Sequence, residues 1–519
     1  MTTTTPPAIQ PLAAHQDLTM VVDIGKTHAK LLLIDAEGLV QTQAHSDNAA
    51  VTAPQGYLAL GVDRLRQWWL DSVQAWPEAL RERVARIVVS THGAAFCALG
   101  PSEDGAPPAD EAWLQGGLAM APMDYEWDGH AALRRAEADA IDPFDETGSP
   151  DLPLGLNAGW QLRWLQTRLP EAWARTEHWL PYPQYWAWWL CGVRASERSS
   201  LGCHTHLWSV RADGPSPWAR RHGLTDRLAP VRQADEVLGG LRAALAARTG
   251  LPANVQVLCG VHDSNACLAR YRHMGRDLTL VSTGTWTVLM SPGGDVASLH
   301  AEHDQLVNVS VAGQPVPTAR FMAGREFAQL CDGAAPGLAS LAVLEDVLAQ
   351  EWWATPGFAA AGGPFARETG QVWRGWDPAT VVSARAWHEV APAIRATLAS
   401  LYVGQVTAWL AKEVGGRGPL IVEGPQADNP VILAVLATLL GPQQVLRSID
   451  PMEGTARGAW RLAQAPRVVR KPGQALASRA AQGEAFVEVV APLRGMALER
   501  LRSLHTNWTQ ALPTAAAEA

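Results

Sequence analysis

Two short apolar runs of strand character bracket a glycine turn near the start of the chain, and the same arrangement recurs about halfway along. The first pair is 18–24 and 29–35, joined through Gly25. The second is 278–282 and 286–290, joined through Thr283, Gly284 and Thr285. Each reads as a β-hairpin with a polar tip, and the recurrence predicts an internal duplication. Further apolar runs at 84–90, 255–260 and 419–423 predict strands. Apolar positions with a 3.6-residue period predict helices over 58–69, 160–173, 384–414 and 430–440. The most apolar stretch, 431–440, is too short to cross a bilayer and reads as a buried helix. Strands and helices mix in both halves, so the expected class is α/β.

The chain has 519 residues, which suits about two or three domains. The expected division is a disordered tail over 1–16, an N-terminal lobe over 17–269, a C-terminal lobe over 270–495, and a helix with a tail over 496–519. The Thr- and Pro-rich start has no apolar leader character, and no membrane span is expected. A net charge of −9 with no basic stripe argues against nucleic acid as a partner. It leaves room for one anionic ligand, which needs only local charge and backbone donors. Six cysteines at irregular spacings, with no CxxC pair, predict no disulfide framework and a cytoplasmic location. Among 42 basic residues only Lys26, Lys30, Lys412 and Lys471 are lysine. Two of the four share the first hairpin. Lysine is a compact point charge and arginine a planar fork, so chance or a real need for a point charge accounts for the pair.

Four segments carry candidate chemistry. In Asp23-Ile-Gly-Lys-Thr-His-Ala-Lys30, a carboxylate at a strand end can hold hydrated Mg²⁺, and Gly25 lets backbone N–H groups approach phosphate. Lys26 and Thr27 add donors. An ordinary solvated hairpin tip is the competing reading of this motif taken alone. In Cys259-Gly-Val-His-Asp-Ser-Asn265, Asp263 falls at a strand-to-helix junction, where a carboxylate can accept the proton of an attacking hydroxyl. Capping of the next helix by Asp263 or Ser264 is the competing reading. Ser282-Thr-Gly-Thr285 offers hydroxyl and backbone donors to phosphate, although Thr is simply a good strand residue. His92, in Ser90-Thr-His-Gly93, sits where α/β sheets bind ligands and can contact a sugar; a core histidine is nearly as frequent there. The pairs His204/His206 and His300/His303 lack a completing ligand set for zinc. The Trp-rich stretch 160–189 reads mainly as core.

Taken in order, these motifs resemble the FGGY family of carbohydrate kinases, over about residues 18–470. The segment from Asp23 to Lys30 is similar to the family's first phosphate motif, and Ser282–Thr285 to its second. Ser90-Thr-His-Gly93 resembles its sugar-contacting turn, and Gly260-Val-His-Asp263 its catalytic GxxD. Residues 156–171 resemble a family helix, and Glu423-Gly-Pro-Gln-Ala-Asp-Asn429 falls where the family has its adenosine segment. The resemblance implies two duplicated actin-like, ribonuclease-H-like lobes with a cleft between them. It implies Asp263 as base, and Thr91, His92, Gly93 and His262 as sugar contacts. Gly25, Lys26, Thr27, Lys30, Thr283, Gly284, Thr285, Gly424 and Asn429 become ATP contacts, and Asp23 a Mg²⁺ site through water. The expected reaction is ATP-dependent phosphorylation of a small ketose or deoxyketose at a primary hydroxyl, with ATP and Mg²⁺ as cofactors and a homodimer as one expected assembly. Two departures stand out. Lys26 occupies a position where the family commonly has Thr, and the adenosine segment keeps Gly424 alone of its usual glycines. That second departure favours a rival reading, a non-catalytic actin-like nucleotide sensor or assembly protein. A metal-dependent hydrolase using the histidine pairs is a further rival.

Overall fold

The computed structural model describes residues 10–101, 116–359, 362–464 and 486–512. They divide into two compact units. One holds the described residues up to His273, together with Val307–Pro315 and those from Met452 to 464. The other holds Met274–Leu306, Val316–Pro451 and the described residues from 486 onward.

The first unit is built on a mixed sheet. Strands β1 (Leu18–Ile24), β2 (His28–Ile34) and β3 (Val40–Asp47) form an antiparallel meander. Strand β4 (Val84–Thr91) then lies parallel to β1. Strands β5 (Val237–Gly240) and β6 (Gln256–Leu258) extend the sheet, and the short β7 (Val261–His262) runs parallel to β4. The order is β5-β6-β4-β1-β2-β3. Every residue of β1 is buried because both faces of the sheet are covered, which makes the strand mostly apolar on both faces, with Thr19 and Asp23 as its polar residues, rather than alternating. Met20 and Val22 face a cluster containing Trp69 of α1 (Val62–Ala75) and Trp186 and Trp189 of α2 (Tyr182–Cys191). Val21 faces the opposite cluster, with Ala456, Ala459 and Trp460 of the helix Gly454–Gln464. That helix comes from far along the chain and packs against α3 (Asp263–Ala269). Their backbones approach so closely that a Cβ on Gly458 would lie 1.7 Å from the Ala266 carbonyl oxygen.

The second unit repeats this plan. Strands β8 (Thr279–Thr283), β9 (Thr287–Met290) and β10 (Pro315–Phe321) form the meander. Strand β11 (Leu420–Glu423) lies parallel to β8, and β12 (Val445–Ser448) parallel to β11. An antiparallel β13 (Val487–Val489) closes the order β10-β9-β8-β11-β12-β13. The helices α4 (Pro392–Glu413) and α5 (Pro430–Leu439) pack on each other. Each unit therefore carries the 3-2-1-4-5 arrangement of a ribonuclease-H-like half, with β6 as the fifth strand of the first unit and the antiparallel β5 added at its edge, and the duplication expected from the two hairpins is present.

Several element bounds differ from the sequence reading. The helix expected over 58–69 is a two-residue strand, Leu58–Ala59, followed by α1. The one expected over 160–173 is two helices, Ala158–Arg168 and Pro170–Arg175. The one expected over 384–414 is Ala384–Glu389 and then α4. In both pairs a proline opens the second helix, because its missing N–H cannot continue the first. The strand expected over 255–260 is shortened to β6 by the turn at Gly260. Gln16, in the expected tail, is buried and donates to the Val84 carbonyl oxygen and to Asn254 Oδ1, both at 2.9 Å. The remaining tail residues 1–9 and 513–519, and Lys471, lie outside the described residues.

Candidate active site

Three neighbouring parallel strands end together in the first unit. In register, Asp23 of β1 faces Ser90 of β4, which faces Val261 of β7; one step on, Ile24, Thr91 and His262 align. The chain continues from these ends into the Gly25 turn, into His92-Gly93 and into Asp263. Residues far apart in sequence are thereby gathered at the carboxyl edge of the sheet, where α/β sheets present their ligand-binding groups.

Asp263 is the first residue of α3 and is partly exposed. Its Oδ1 accepts from the Ser264 N–H at 2.6 Å and from the Ser264 hydroxyl at 3.3 Å. His262 Nε2 lies 3.2 Å from the same oxygen and 3.4 Å from Cys203 Sγ. The amide of Asn265 donates to His262 Nδ1 at 3.2 Å, which places the imidazole proton on Nε2, pointing at the carboxylate. Oδ2 takes none of these bonds. The two readings of Asp263 weighed from sequence are thus compatible: one oxygen binds the helix start and the other is left for chemistry.

His92 is buried, and its Nδ1 sits 3.0 Å from the Gly93 carbonyl oxygen. That oxygen only accepts, so Nδ1 carries the proton and Nε2 presents a lone pair. Nε2 is buried without a hydrogen-bond partner. Burial lowers the pKa of His92 and keeps it neutral; the charges of Asp263, Asp124 and Lys26 also reach it. Its ring packs edge-on to Tyr125 at 5.6 Å and against Tyr182 at 5.3 Å. Gly93 is required beside it, since a Cβ there would meet His262 Nε2 at 2.7 Å. Thr91 is buried, and its hydroxyl donates to the His92 carbonyl oxygen at 2.9 Å.

Asp23 is buried, and its pKa is pushed up to about 7, first by desolvation and then by the negative charge of Asp263, with Lys30 opposing. A buried carboxylate raised in part by the charge of a second one fits a hard divalent cation held through water and phosphate oxygens. Among the described residues no set of three acidic, His or Cys side chains forms a cage for one. Lys30, the cross-strand partner of Asp23, pairs with Glu453. Lys26, within the hairpin tip, pairs with Asp124. The Gly25 N–H bonds the His28 carbonyl oxygen at 2.9 Å, and Thr27 is exposed.

In the second unit, Thr283 ends β8 beside the end of β11 at Glu423. Its hydroxyl donates to the Glu423 carbonyl oxygen and accepts from the Gln426 N–H at 3.1 Å. Gly284, Thr285 and Gly424 are exposed at these strand ends. Asn429 caps α5: its Oδ1 accepts from the Val431 and Ile432 N–H groups, and its Nδ2 donates to Ser400. The structure joins Thr283 to the Gly424 turn and commits Asn429 to the helix start. His204 and His206 adopt left-handed backbone angles, and burial pushes His206 down to about 3. Neither they nor the His300/His303 pair forms a metal cluster among the described residues.

Asp124, Tyr125, Cys203, Asn265 and Glu453 are site residues that sequence reasoning did not single out. Asn265 alone left a usable signal, three residues after His262 in the first turn of the helix that His262 precedes. The others reach the site through contacts with residues distant in the chain.

The fold is a duplicated, actin-like scaffold, with candidate site residues gathered at this sheet edge. The profile of the carbohydrate kinase FGGY C-terminal domain matches residues 275–472. A carbohydrate kinase from Novosphingobium aromaticivorans is 31% identical, with a TM-score of 0.79, covering 96% of this chain and 99% of that one. A xylulose kinase from Lactobacillus acidophilus shares the fold at 13% identity, with a TM-score of 0.70, covering 95% of this chain and 97% of that one. The L-fuculokinase of Salmonella typhi is 26% identical over 287 residues, which are 54% of this chain and 58% of that enzyme. The chain thus spans little more than half the length of the curated relatives it matches. It belongs to the FGGY family of carbohydrate kinases.

Proposed function

We propose that this protein transfers the γ-phosphoryl group of ATP to a primary hydroxyl of a small neutral sugar, a ketose or deoxyketose such as fuculose, rhamnulose, ribulose or xylulose. One observation carries the reading. Asp263 Oδ2 and the orphaned lone pair of His92 Nε2 belong to one electrostatic cluster at the ends of adjacent strands. A polyhydroxy ligand supplies O–H donors to both. Asp263 accepts the proton of the attacking hydroxyl, and His92 accepts from a second hydroxyl and orients the sugar. His262 holds the Asp263 carboxylate in place, and Thr91 and Gly93 set the path of the turn. Magnesium, when bound with the nucleotide, supplies charge neutralisation on the phosphate oxygens, with Asp23 as the residue that would hold its water shell. Gly25, Thr27 and Lys30 in the first unit, and Thr283–Thr285 and Gly424 in the second, are proposed as phosphate and nucleotide contacts. On this reading the first unit carries the sugar and the catalytic carboxylate, and the second carries the nucleotide.

The adenosine-like segment 423–429, which keeps Gly424 alone of the family's usual glycines, is the feature that favours the second reading, a nucleotide sensor with no acceptor sugar. No described helix is long and apolar enough to cross a membrane, and all six cysteines are free and buried. A reducing cytoplasm suits such thiols. Light scattering decides whether the chain forms the homodimer expected for it. The test of function is ³¹P NMR of products from MgATP with a panel of ketoses, polyols and aldoses. A new sugar-phosphate monoester resonance with one ketose supports the kinase. ATP binding without any sugar phosphate across the panel favours the sensor.

A further inference from the structure

We infer that Lys26 is a specificity-determining residue of the acceptor site, acting through Asp124, rather than a phosphate ligand. This inference rests on the sugar-kinase reading. Lys26 follows the phosphate-loop glycine, where a cation is expected to reach for phosphate. Its ammonium instead pairs with Asp124, lies 3.2 Å from Glu126 and sits 5.2 Å above the Tyr125 ring. The Asp124 side chain is only 1% exposed, and its Oδ1 already accepts from the Glu126 N–H at 2.9 Å. To reach phosphate, Lys26 would leave that buried carboxylate without its counter-charge, an expensive state.

The same pair fixes the wall that faces His92. Tyr125, between Asp124 and Glu126, packs edge-on to the His92 ring, and the charges of Asp124 and Lys26 both reach His92. The local charges are then Lys26 against Asp124, Glu126 and Asp263, with His92 neutral. An acceptor entering there meets a net negative field. Hydroxyl groups tolerate it and donate into it; a carboxylate-bearing sugar does not. The pair therefore selects a neutral polyhydroxy acceptor over a sugar acid. The ammonium is a compact point charge that meets both carboxylates from one position, a geometry that the larger planar guanidinium of an arginine would change.

The test separates sugar from nucleotide. The variants K26T, K26R and D124N are compared with wild type by KM for the best ketose of the panel, KM for MgATP, and ADP affinity by calorimetry. K26T and K26R are expected to raise the sugar KM about tenfold or more, leaving ADP affinity within about twofold. Wild type is expected to prefer the ketose over D-gluconate by about 100-fold or more, and D124N to narrow that ratio at least about tenfold. A rise in ATP KM with weakened ADP binding, at unchanged sugar KM, overturns the inference. K26R keeps the charge and serves as the folded comparison if K26T does not fold. Absence of turnover with every sugar in wild type counts against the kinase reading; the ADP affinity of K26T still decides whether Lys26 binds phosphate.

Discussion

His262 directs its Nε2–H to Asp263 Oδ1 across 3.2 Å, and Asn265 fixes that tautomer by donating to Nδ1 at 3.2 Å. One oxygen of the carboxylate is thus held by His262 and Ser264, while the other stays open. An open oxygen on an otherwise fixed carboxylate is what a base for a sugar hydroxyl requires. Replacing Asn265 with Leu removes the donor and frees the imidazole to flip its proton. The expected outcome is a loss of about tenfold or more in kcat with little change in nucleotide affinity, since orientation rather than binding is lost. Stopped-flow turnover and ADP calorimetry check this; an unchanged kcat contradicts the tautomer assignment.

Gly93 tests the same geometry from the other side. A methyl there would stand 2.7 Å from His262 Nε2 and 2.8 Å from Cδ2. Gly93→Ala is therefore expected to push the imidazole off Asp263 and lower kcat/KM by about 100-fold, the scale of a displacement of about 1 Å. Circular dichroism should stay native. Wild-type kinetics in a folded variant would show that the turn yields without cost.

Gly458 supports the site from beneath. Its missing Cβ lets the helix Gly454–Gln464 press its backbone against α3, the helix that begins at Asp263. Gly458→Ala is expected to lower stability by about 1–3 kcal/mol through forced separation of the two helices. Urea denaturation measures it, and a stabilised variant would contradict the close packing.

How much of this was legible beforehand differs from residue to residue. The hairpin strands were readable because both sheet faces are covered, which leaves β1 and the 31–34 end of β2 predominantly apolar. Asp23 was readable from its place next to last in β1, and His92 and Asp263 because each follows directly on a strand. The breaks at Pro170 and Pro392 were visible as prolines but yielded to the apolar period on either side. Asp124 and Glu453 could not be found this way. Asp124 meets Lys26 across 98 positions and Glu453 meets Lys30 across 423, so no local pattern marks either. The scarcity of lysine drew attention to this turn, and both lysines there have a carboxylate partner: the buried Asp124 for Lys26 and the exposed Glu453 for Lys30.

Glu197 gives the protein a pH dependence of stability. It is buried behind the site, caps the helix Arg198–Leu201, and pairs with the hydroxyl of Ser199, which itself accepts from the His262 N–H at 3.3 Å. Burial, only partly offset by bonds from Ser199 and Ser200, pushes its pKa from 4.5 up to about 7. The folded state therefore keeps a proton that the unfolded chain releases between these values. The contribution of Glu197 to stability is fullest below pH 4.5 and is lost as pH rises to about 7, at a limit of about 1.4 kcal/mol per unit. Glu197→Gln mimics the protonated form and should flatten that slope in urea denaturation series. Parallel slopes for variant and wild type would contradict a protonated Glu197.

The most direct measurement is steady-state sugar-stimulated ADP release by wild type and Asp263→Asn, with ADP affinity measured on the same preparations. Loss of the base predicts a fall in kcat of about 100-fold or more, with ADP affinity within about twofold and the fold intact. Asp263→Asn turning over at near wild-type rate would contradict the assignment of Asp263 as the base, and with it the account of how this edge of the sheet performs phosphoryl transfer.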